Sequence, residues 1–215
     1  MLVGSRMRSP VITVPPDMPV VDALNFLHKE KIRRAPVIKN GKLVGIISDK
    51  DLLNASPSSA TSLSIWEVNY LISKILVKEV MTKKVLTVKE DTPIEDAARI
   101  MADNKIGALP VVRNGDVVGI ITETDIFKIF LELMGARESG IRVSALIPEE
   151  RGKIAQIAEV ISKANGNFVS FGTFAGDTPS NRLVTFKVTG ITLENVKKLI
   201  SPIVEQIIDI RLSKV

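Results

Sequence analysis

The chain contains Gly45-Ile46-Ile47-Ser48-Asp49-Lys50-Asp51 and, 74 residues later, Gly119-Ile120-Ile121-Thr122-Glu123-Thr124-Asp125. The similarity extends well beyond these motifs. Leu2–Leu53 aligns without a gap to Leu76–Phe127, and 21 of the 52 residue pairs are identical. A long repeat in only two copies favours two similar halves packed about a pseudo-two-fold axis, because open arrays need more and shorter units.

Each copy predicts the element order β-α-β-β-α. In the first copy the β-branched run Val11–Val14 indicates a strand, and Asp17 is expected to cap the helix that follows. The apolar runs Ala35–Lys39 and Lys42–Ser48 flank Asn40-Gly41, which is typical of a type I′ hairpin turn because both residues tolerate positive φ. A short helix is expected after the hairpin. The second copy predicts the same elements at an offset of 74 residues.

The rest of the chain predicts a linker and a further domain. Residues 55–75 indicate a small-residue loop followed by a helix, Ile65–Ile75. After the second copy, Ile126–Met134 predicts a strongly apolar helix. Residues 139–215 then predict the order β-α-β-β-α-β, which is ferredoxin-like. The fold class is therefore expected to be α+β.

Composition excludes several kinds of chemistry. The chain is 45% apolar and 25% charged, as in globular proteins. It has no cysteine and a single histidine, His28, which excludes disulfides, cysteine nucleophiles and multi-histidine metal sites. The net charge is +5, but aromatic residues are only 4% of the chain and no nucleic-acid-binding motif is present, so nucleic acid is not expected as a partner. Without a signal-peptide core or an apolar run of about 20 residues, we expect a cytoplasmic protein with no membrane association.

The repeat resembles a tandem pair of CBS domains, also called a Bateman module. The resemblance rests on the two Gly-Ile-Ile motifs, on Arg33-Arg34-Ala35-Pro36 and Gly107-Ala108-Leu109-Pro110, and on Val80-Met81-Thr82. It implies a first CBS domain at 1–54, the linker at 55–75 and a second CBS domain at 76–134. Residues 139–215 resemble an ACT domain, with Gly152 in the first strand-to-helix loop. The whole order resembles the AcuB-like (acetoin utilisation) family.

These resemblances imply a regulatory protein and not an enzyme. CBS pairs bind adenosine-containing ligands in clefts between their sheets, so AMP, ADP, ATP, S-adenosylmethionine or NAD is expected as a regulatory ligand, with no cofactor required. ACT domains often bind amino acids. Both kinds of domain commonly dimerise, and a homodimer that regulates a partner enzyme is expected. The apolar helices Ile65–Ile75 and Ile126–Met134 also favour a homodimer, because surplus apolar surface marks association sites.

The candidate ribose-binding residues are Ser48 and Asp51 in the first copy and Thr122 and Asp125 in the second. A carboxylate where a strand passes into a helix can accept both ribose hydroxyl protons, and the adjacent hydroxyl adds a third polar contact. Ser, Thr and Asp are also preferred helix N-caps without any ligand. The residues alone favour capping, whereas the duplication and the resemblance favour ribose binding.

The candidate phosphate-binding residues are Arg33 and Arg34, because guanidinium groups make bidentate charged hydrogen bonds to phosphate. Adjacent arginines are otherwise often a solvated surface. The second copy has Gly107 and Ala108 at these positions, so an asymmetry is expected. The cleft of Asp51 should prefer phosphorylated nucleotides.

Four further residues complete the predicted nucleotide-binding set. Thr13 and Thr87 lie in the first strand of each copy, where the resemblance implies contact with base or ribose, although β-propensity explains them equally well. Lys50 and Thr124 lie inside the two motifs and could reach a phosphate, although each could also belong to a solvated turn. No catalytic or metal-binding residue is predicted. The alternative function is a ligand-independent module for dimerisation and partner docking.

Overall fold

A computed structural model describes residues 1–55 and 73–214 of the chain. The chain divides into two compact units, Met1–Ile126 and Phe127–Val215. Most of the predicted helix Ile65–Ile75, and nearly all of the loop before it, lie outside the described residues.

The two sequence copies form the first unit. The first copy contains helix α1 (Val20–Lys29), strands β1 (Arg34–Lys39) and β2 (Lys42–Ser48) and helix α2 (Asp49–Asn54). The second copy begins with a short helix, α3 (Val77–Val80). The second copy contains helix α4 (Ile94–Asn104), strands β3 (Ala108–Arg113) and β4 (Asp116–Thr122) and helix α5 (Glu123–Leu133). The predicted apolar helix Ile126–Met134 is thus the later part of one helix that begins at Glu123.

Both predicted hairpins are confirmed. β1 pairs antiparallel with β2, and β3 with β4, in equivalent registers that join Arg34 to Ser48 and Ala108 to Thr122. Asn40 and Gly41 have φ values of 50° and 77°, as a type I′ turn requires. This register places the start of β1 beside the end of β2, where the Ser48 motif begins.

The strand predicted at Val11–Val14 is wrong except for one bridge. Only Val14 pairs, in parallel with Val37, by donating to the carbonyl of Pro36 and accepting from the amide of Ile38. A longer parallel ladder would need a donor at Pro36, which has no N–H. Pro110 limits the equivalent bridge in the second copy, between Val88 and Val111, in the same way.

Asp17 does not cap helix α1, contrary to the prediction. Helix α1 begins at Val20, directly after Pro19, and no side chain caps its N-terminus. Asp17 instead accepts a hydrogen bond from Nζ of Lys78 at 2.8 Å, and this bond holds the pKa of the Asp17 carboxyl below its usual value. Lys78 belongs to α3, so this hydrogen bond joins the first copy to the beginning of the second.

The first residues of each copy pack on the other copy. We call Met1–Arg8 the first leader and Leu76–Thr82 the second leader. In the first leader, the amide of Val3 donates to the carbonyl of Thr92, and the buried Val3 side chain belongs to the core of the second copy. In the second leader, the amide of Val77 donates to the carbonyl of Met18, and Val77 belongs to the core of the first copy. The two copies therefore exchange leaders.

Methionine side chains fix each exchanged leader against a glycine. A Cβ on Gly119 would overlap Sδ of Met7, and a Cβ on Gly45 would overlap Sδ of Met81. The glycines of the two Gly-Ile-Ile motifs are thus explained by close approach of a leader, which also pairs with the following isoleucine through Arg8 in one copy and Thr82 in the other.

The second unit contains a four-stranded antiparallel sheet. Its elements are β5 (Gly140–Pro148), α6 (Lys153–Lys163), β6 (Asn167–Ala175), β7 (Asn181–Thr189), α7 (Leu193–Ile200) and β8 (Gln206–Ser213). The strand order is β6-β7-β5-β8, as in the predicted β-α-β-β-α-β arrangement. Apolar side chains of β5 and β7 pack against α6 and α7 in one core that includes Val143, Phe186, Ile157 and Ile200.

One charged side chain is buried in the second unit. Lys187 on β7 is 4% exposed, and its Nζ donates to the carbonyls of Gly135 and Glu138 at 2.7 and 2.8 Å. Those carbonyls lie in the turn between α5 and β5. Lys187 therefore anchors this connection to the sheet, since backbone carbonyls buried away from water need a hydrogen-bond donor.

We expect Lys187→Met to lower the stability of the second unit by about 2–3 kcal/mol, because methionine fills similar space but leaves two carbonyls without their donor. Calorimetric unfolding measures the change. Lys198→Met, on the exposed side of α7, removes the same charge and serves as the control. Equal losses in the two variants would contradict an anchoring role for Lys187.

Candidate functional site

The two Ser/Thr-x-x-Asp motifs form capping boxes at the junctions of strand and helix. β2 ends at Ser48, whose Oγ accepts from the amide of Asp51 at 3.2 Å. In return, Asp51 Oδ2 accepts from the amide and the hydroxyl of Ser48 at 2.9 and 2.6 Å. Thr122 and Asp125 repeat this arrangement with distances of 3.3, 3.0 and 2.6 Å. Helix capping, one of the two interpretations of these residues, is therefore a real function of both motifs.

Capping leaves part of the Asp51 carboxylate available. Both hydrogen bonds from Ser48 go to Oδ2, and within the described part of the chain Oδ1 accepts none. A carboxylate oxygen has two lone pairs, so Asp51 keeps acceptors for a ligand hydroxyl. The capping box at the same time fixes the carboxylate in one orientation.

A cavity of about 400 Å³ opens beside Asp51, a size ordinary for a small-molecule pocket. It lies between the two copies and takes residues from both. The lining residues are Arg34, Ile46, Ile47, Ser48, Asp51, Thr82, Lys84, Val85, Leu86, Asn104, Lys105, Ile106, Gly107 and Ala108. We call it the Asp51 cavity.

The chemistry of the Asp51 cavity suits a ligand with apolar, hydroxyl and anionic parts. Isoleucine, valine and leucine side chains supply apolar wall, and Ser48 and Asp51 supply hydrogen-bond acceptors. Three cations line the cavity, namely Arg34, Lys84 and Lys105, against the single carboxylate of Asp51. The excess of positive charge favours an anionic group such as phosphate.

The structure separates the two predicted arginines. Arg34 lines the Asp51 cavity, as expected. Arg33 does not; its Nη2 donates to Oγ1 of Thr124 at 2.8 Å, inside the motif of the second copy. Arg33, which precedes β1, is thus directed toward the motif of the second copy, and its contact with a ligand phosphate stays a prediction.

The remaining predicted residues do not belong to the lining of the Asp51 cavity. Thr13 lines a different cavity of about 510 Å³, together with Arg113 and Asp116. Thr87 is absent from the lining of the Asp51 cavity, although Leu86 belongs to it. Lys50, Thr122, Thr124 and Asp125 are also outside that lining, and Lys50 is exposed, with its amide donating to Asp49 Oδ1.

The second copy contributes residues to the Asp51 cavity that the sequence did not single out as binding residues. Lys84, Lys105 and Gly107 come from that copy. The repeat could have predicted this contribution. A pseudo-two-fold axis places the residues at the start of the hairpin in one copy beside the Ser/Thr-x-x-Asp motif of the other copy. Lys105 also ends helix α4 with a φ of 54°, a left-handed conformation at the cavity wall.

Residues 1–55 and 73–214 contain neither a metal-binding cluster nor a membrane-spanning helix. No three acidic or histidine side chains there are grouped so that they could hold a metal ion. No helix in the same residues is both long and apolar enough to cross a membrane.

Comparison with solved structures finds CBS-domain pairs. A crystallised CBS domain pair of protein MJ0100, in complex with 5′-methylthioadenosine and S-adenosyl-L-methionine, is 31% identical over 64% of this chain and 98% of its own, with a TM-score of 0.52. CBSX2, a chloroplastic protein of Arabidopsis thaliana crystallised with AMP, is 34% identical over 60% of this chain and 96% of its own (TM-score 0.50).

A third similar structure is that of a putative acetoin utilization protein (AcuB) from Vibrio cholerae. It is 31% identical over 64% of this chain and 95% of its own, with a TM-score of 0.53. The family model described as "CBS domain" matches residues 3–58 and 77–132, which together exceed half of the chain. Both sequence copies are thus CBS domains, and the chain belongs to the CBS-domain family.

Proposed function

We propose that this protein is a regulatory sensor that binds an adenosine-containing ligand in its CBS pair and is not itself an enzyme. The observation that carries the proposal is the Asp51 cavity, in which a fixed carboxylate, an apolar wall and three cations face one space. Similar CBS pairs have been crystallised with AMP and with S-adenosyl-L-methionine and 5′-methylthioadenosine.

Each part of such a ligand would contact a different set of residues. The ribose hydroxyls would donate to Asp51, and Ser48 would keep that carboxylate in place through the capping box. The base would lie against the apolar side chains of the cavity, where burial of its faces is favourable. Phosphate or another anionic group would approach Arg34, Lys84 and Lys105. The second motif, with Thr122, Thr124 and Asp125, is proposed as a second and weaker ribose site, with Thr13, Thr87, Lys50 and Arg33 as further contacts.

Thermal unfolding with added ligand tests this proposal. We expect at least one of AMP, ATP, S-adenosylmethionine or 5′-methylthioadenosine to raise Tm with increasing concentration, since binding to the folded state alone stabilises it by about 2.7 kcal/mol at 100 times Kd. Mass spectrometry of small molecules released from the purified protein identifies a ligand that is already bound. The absence of any adenosine compound from the released material, together with an unchanged Tm for all four ligands, would overturn the proposal.

For the second unit we propose an ACT-like domain at residues 139–215 that senses a small molecule such as an amino acid. The strand order β6-β7-β5-β8 with two helices on one face supports it. The loop Pro148–Gly152, where Glu149 pairs with Arg182 at 2.6 Å, would frame the ligand. A cytoplasmic homodimer that regulates a partner enzyme, with AcuB-like physiology, completes the proposal.

A docking module without a ligand is the alternative function, and one observation favours it. Phe127, Phe130 and Leu133 on helix α5 are 62%, 47% and 61% exposed, and the two phenylalanine rings lie 6.2 Å apart. Exposed apolar side chains at this spacing form one stripe on a helix and are typical of association surfaces. Light scattering of the wild type and of Phe127→Ser tests it together with the ligand titrations. A dimer that the substitution dissociates, in a protein whose Tm none of the four adenosine compounds changes, would support the alternative.

A further inference from the structure

Arg34 reaches from the first CBS copy into the second. Its Nη2 lies 3.8 Å from Oε2 of Glu123, the residue after Thr122 in the second motif. A Cβ on Gly107 would overlap both Nη2 of Arg34 and the carboxylate of Glu123. The missing side chain at Gly107 therefore makes the room in which these two charged groups meet.

The Arg34–Glu123 pair is close enough for attraction but too long for a hydrogen bond. The Arg34 side chain is 29% exposed and that of Glu123 is 59% exposed. Glu123 thus lowers the positive electrostatic potential around Arg34 but leaves the hydrogen-bond donors of the Arg34 guanidinium available. A carboxylate with this exposure can also turn into water at little cost, because exposed ion pairs contribute little.

The first copy has no equivalent pair. By the repeat, Asp49 corresponds to Glu123, and Ala108 corresponds to Arg34. Asp49 Oδ1 accepts from the amide of Lys50, and no arginine or lysine forms an ion pair with Asp49 among the residues that the structure describes. Of the two motif carboxylates at this position, only that of Glu123 faces a cation of the Asp51 cavity.

We propose that Glu123 determines the charge selectivity of the Asp51 cavity by competing with a ligand phosphate for Arg34. The proposal rests on the proposed adenosyl-ligand function. A phosphate that binds Arg34 must replace Glu123 as its counter-ion, so phosphorylated ligands bind less tightly than the three cations alone would allow. A ligand without phosphate, such as adenosine, does not meet this competition.

Titration calorimetry of the full chain with AMP and with adenosine tests the proposal. We expect Glu123→Gln to tighten AMP binding about two- to fivefold and to change adenosine binding less than twofold, because exposed ion pairs have effects of that size. Asp49→Asn removes the same charge at the equivalent position and should leave the ratio of AMP to adenosine affinity unchanged. In an Arg34→Gln background, Glu123→Gln should have no selective effect.

The outcomes separate this proposal from the function it rests on. If the wild type binds neither AMP nor adenosine nor any other adenosine compound, the proposed function fails and the role of Glu123 fails with it. If ligand binds but Glu123→Gln and Asp49→Asn change the AMP-to-adenosine ratio equally, only the role of Glu123 is overturned. A gain that persists without Arg34 would overturn it too. Because Glu123 is exposed, unfolding of the variant does not confuse the result, and unchanged Tm values without ligand check this.

Discussion

Val3→Asp is expected to destabilise the second CBS copy by about 4 kcal/mol or more, although Val3 belongs to the first copy in sequence. Val3 is fully buried in the core of the second copy, and a carboxylate placed there has no partner. Burial of an unpaired polar or charged group costs several kcal/mol. With total stabilities of about 5–15 kcal/mol, such a loss removes much of the stability of the unit.

Hydrogen exchange shows which strands the substitution Val3→Asp destabilises. We expect amides of β3 and β4 to lose protection in Val3→Asp before those of β1 and β2. Val21→Asp places the same charge on the exposed side of α1 and is the matched control. Greater loss of protection in β1 and β2 would contradict the exchange of leaders.

Asp51→Ala is expected to weaken AMP binding by roughly 10²–10⁴-fold, whereas Asp125→Ala should leave the tighter site intact. The carboxylate of Asp51 would accept hydrogen bonds from two ribose hydroxyls, and charged hydrogen bonds contribute about 1.5–3 kcal/mol each. Asp51 lines the cavity that holds Arg34, Lys84 and Lys105, while Asp125 lies outside its lining. Calorimetry with AMP measures both variants.

A second substitution separates ligand binding from helix capping. Asp51→Asn keeps an acceptor for the amide of Ser48 but loses the charge, so α2 should remain capped while AMP affinity still falls at least tenfold. Asp125→Asn is the matched control in the other motif. Equal loss of AMP affinity in the Asp51 and Asp125 variants would reject the asymmetry between the two motifs, and an unchanged Kd in both would reject their role in ribose binding.

Local chemistry made the hairpins predictable from sequence. Asn40-Gly41 and Asn114-Gly115 fix a turn through their own backbone preferences, and the strands on either side follow from it. The strand boundaries Lys42–Ser48 and Asp116–Thr122 agree with the prediction. The capping boxes were predictable for the same reason, because partners three residues apart recognise each other within one turn.

Contacts between the copies were not predictable in this way. Nothing local in Met1–Arg8 indicates that it packs on the second copy, since the two leaders share the same apolar residues at equivalent positions. The same limit applies to Arg33 and Arg34. The sequence predicted one phosphate for both, whereas in the fold Arg33 donates to Thr124 and Arg34 lines the Asp51 cavity. The residues that the two copies contribute to the wall of the Asp51 cavity could be identified only from the three-dimensional packing.

The exchange of leaders has a consequence for how a duplicated unit of this kind can exist. One copy alone, with its own leader, would be left with an unfilled position at Gly45 or Gly119, where Met81 or Met7 packs in the tandem chain. Two separate single-copy chains could fill both positions only by swapping leaders as a dimer, and that dimer would dissociate on dilution. Tandem fusion makes the swap intramolecular, with an effective concentration set by the connecting chain and independent of how much protein the cell makes. Duplication within one chain thus turns a concentration-dependent assembly into a unit whose internal packing does not depend on protein concentration.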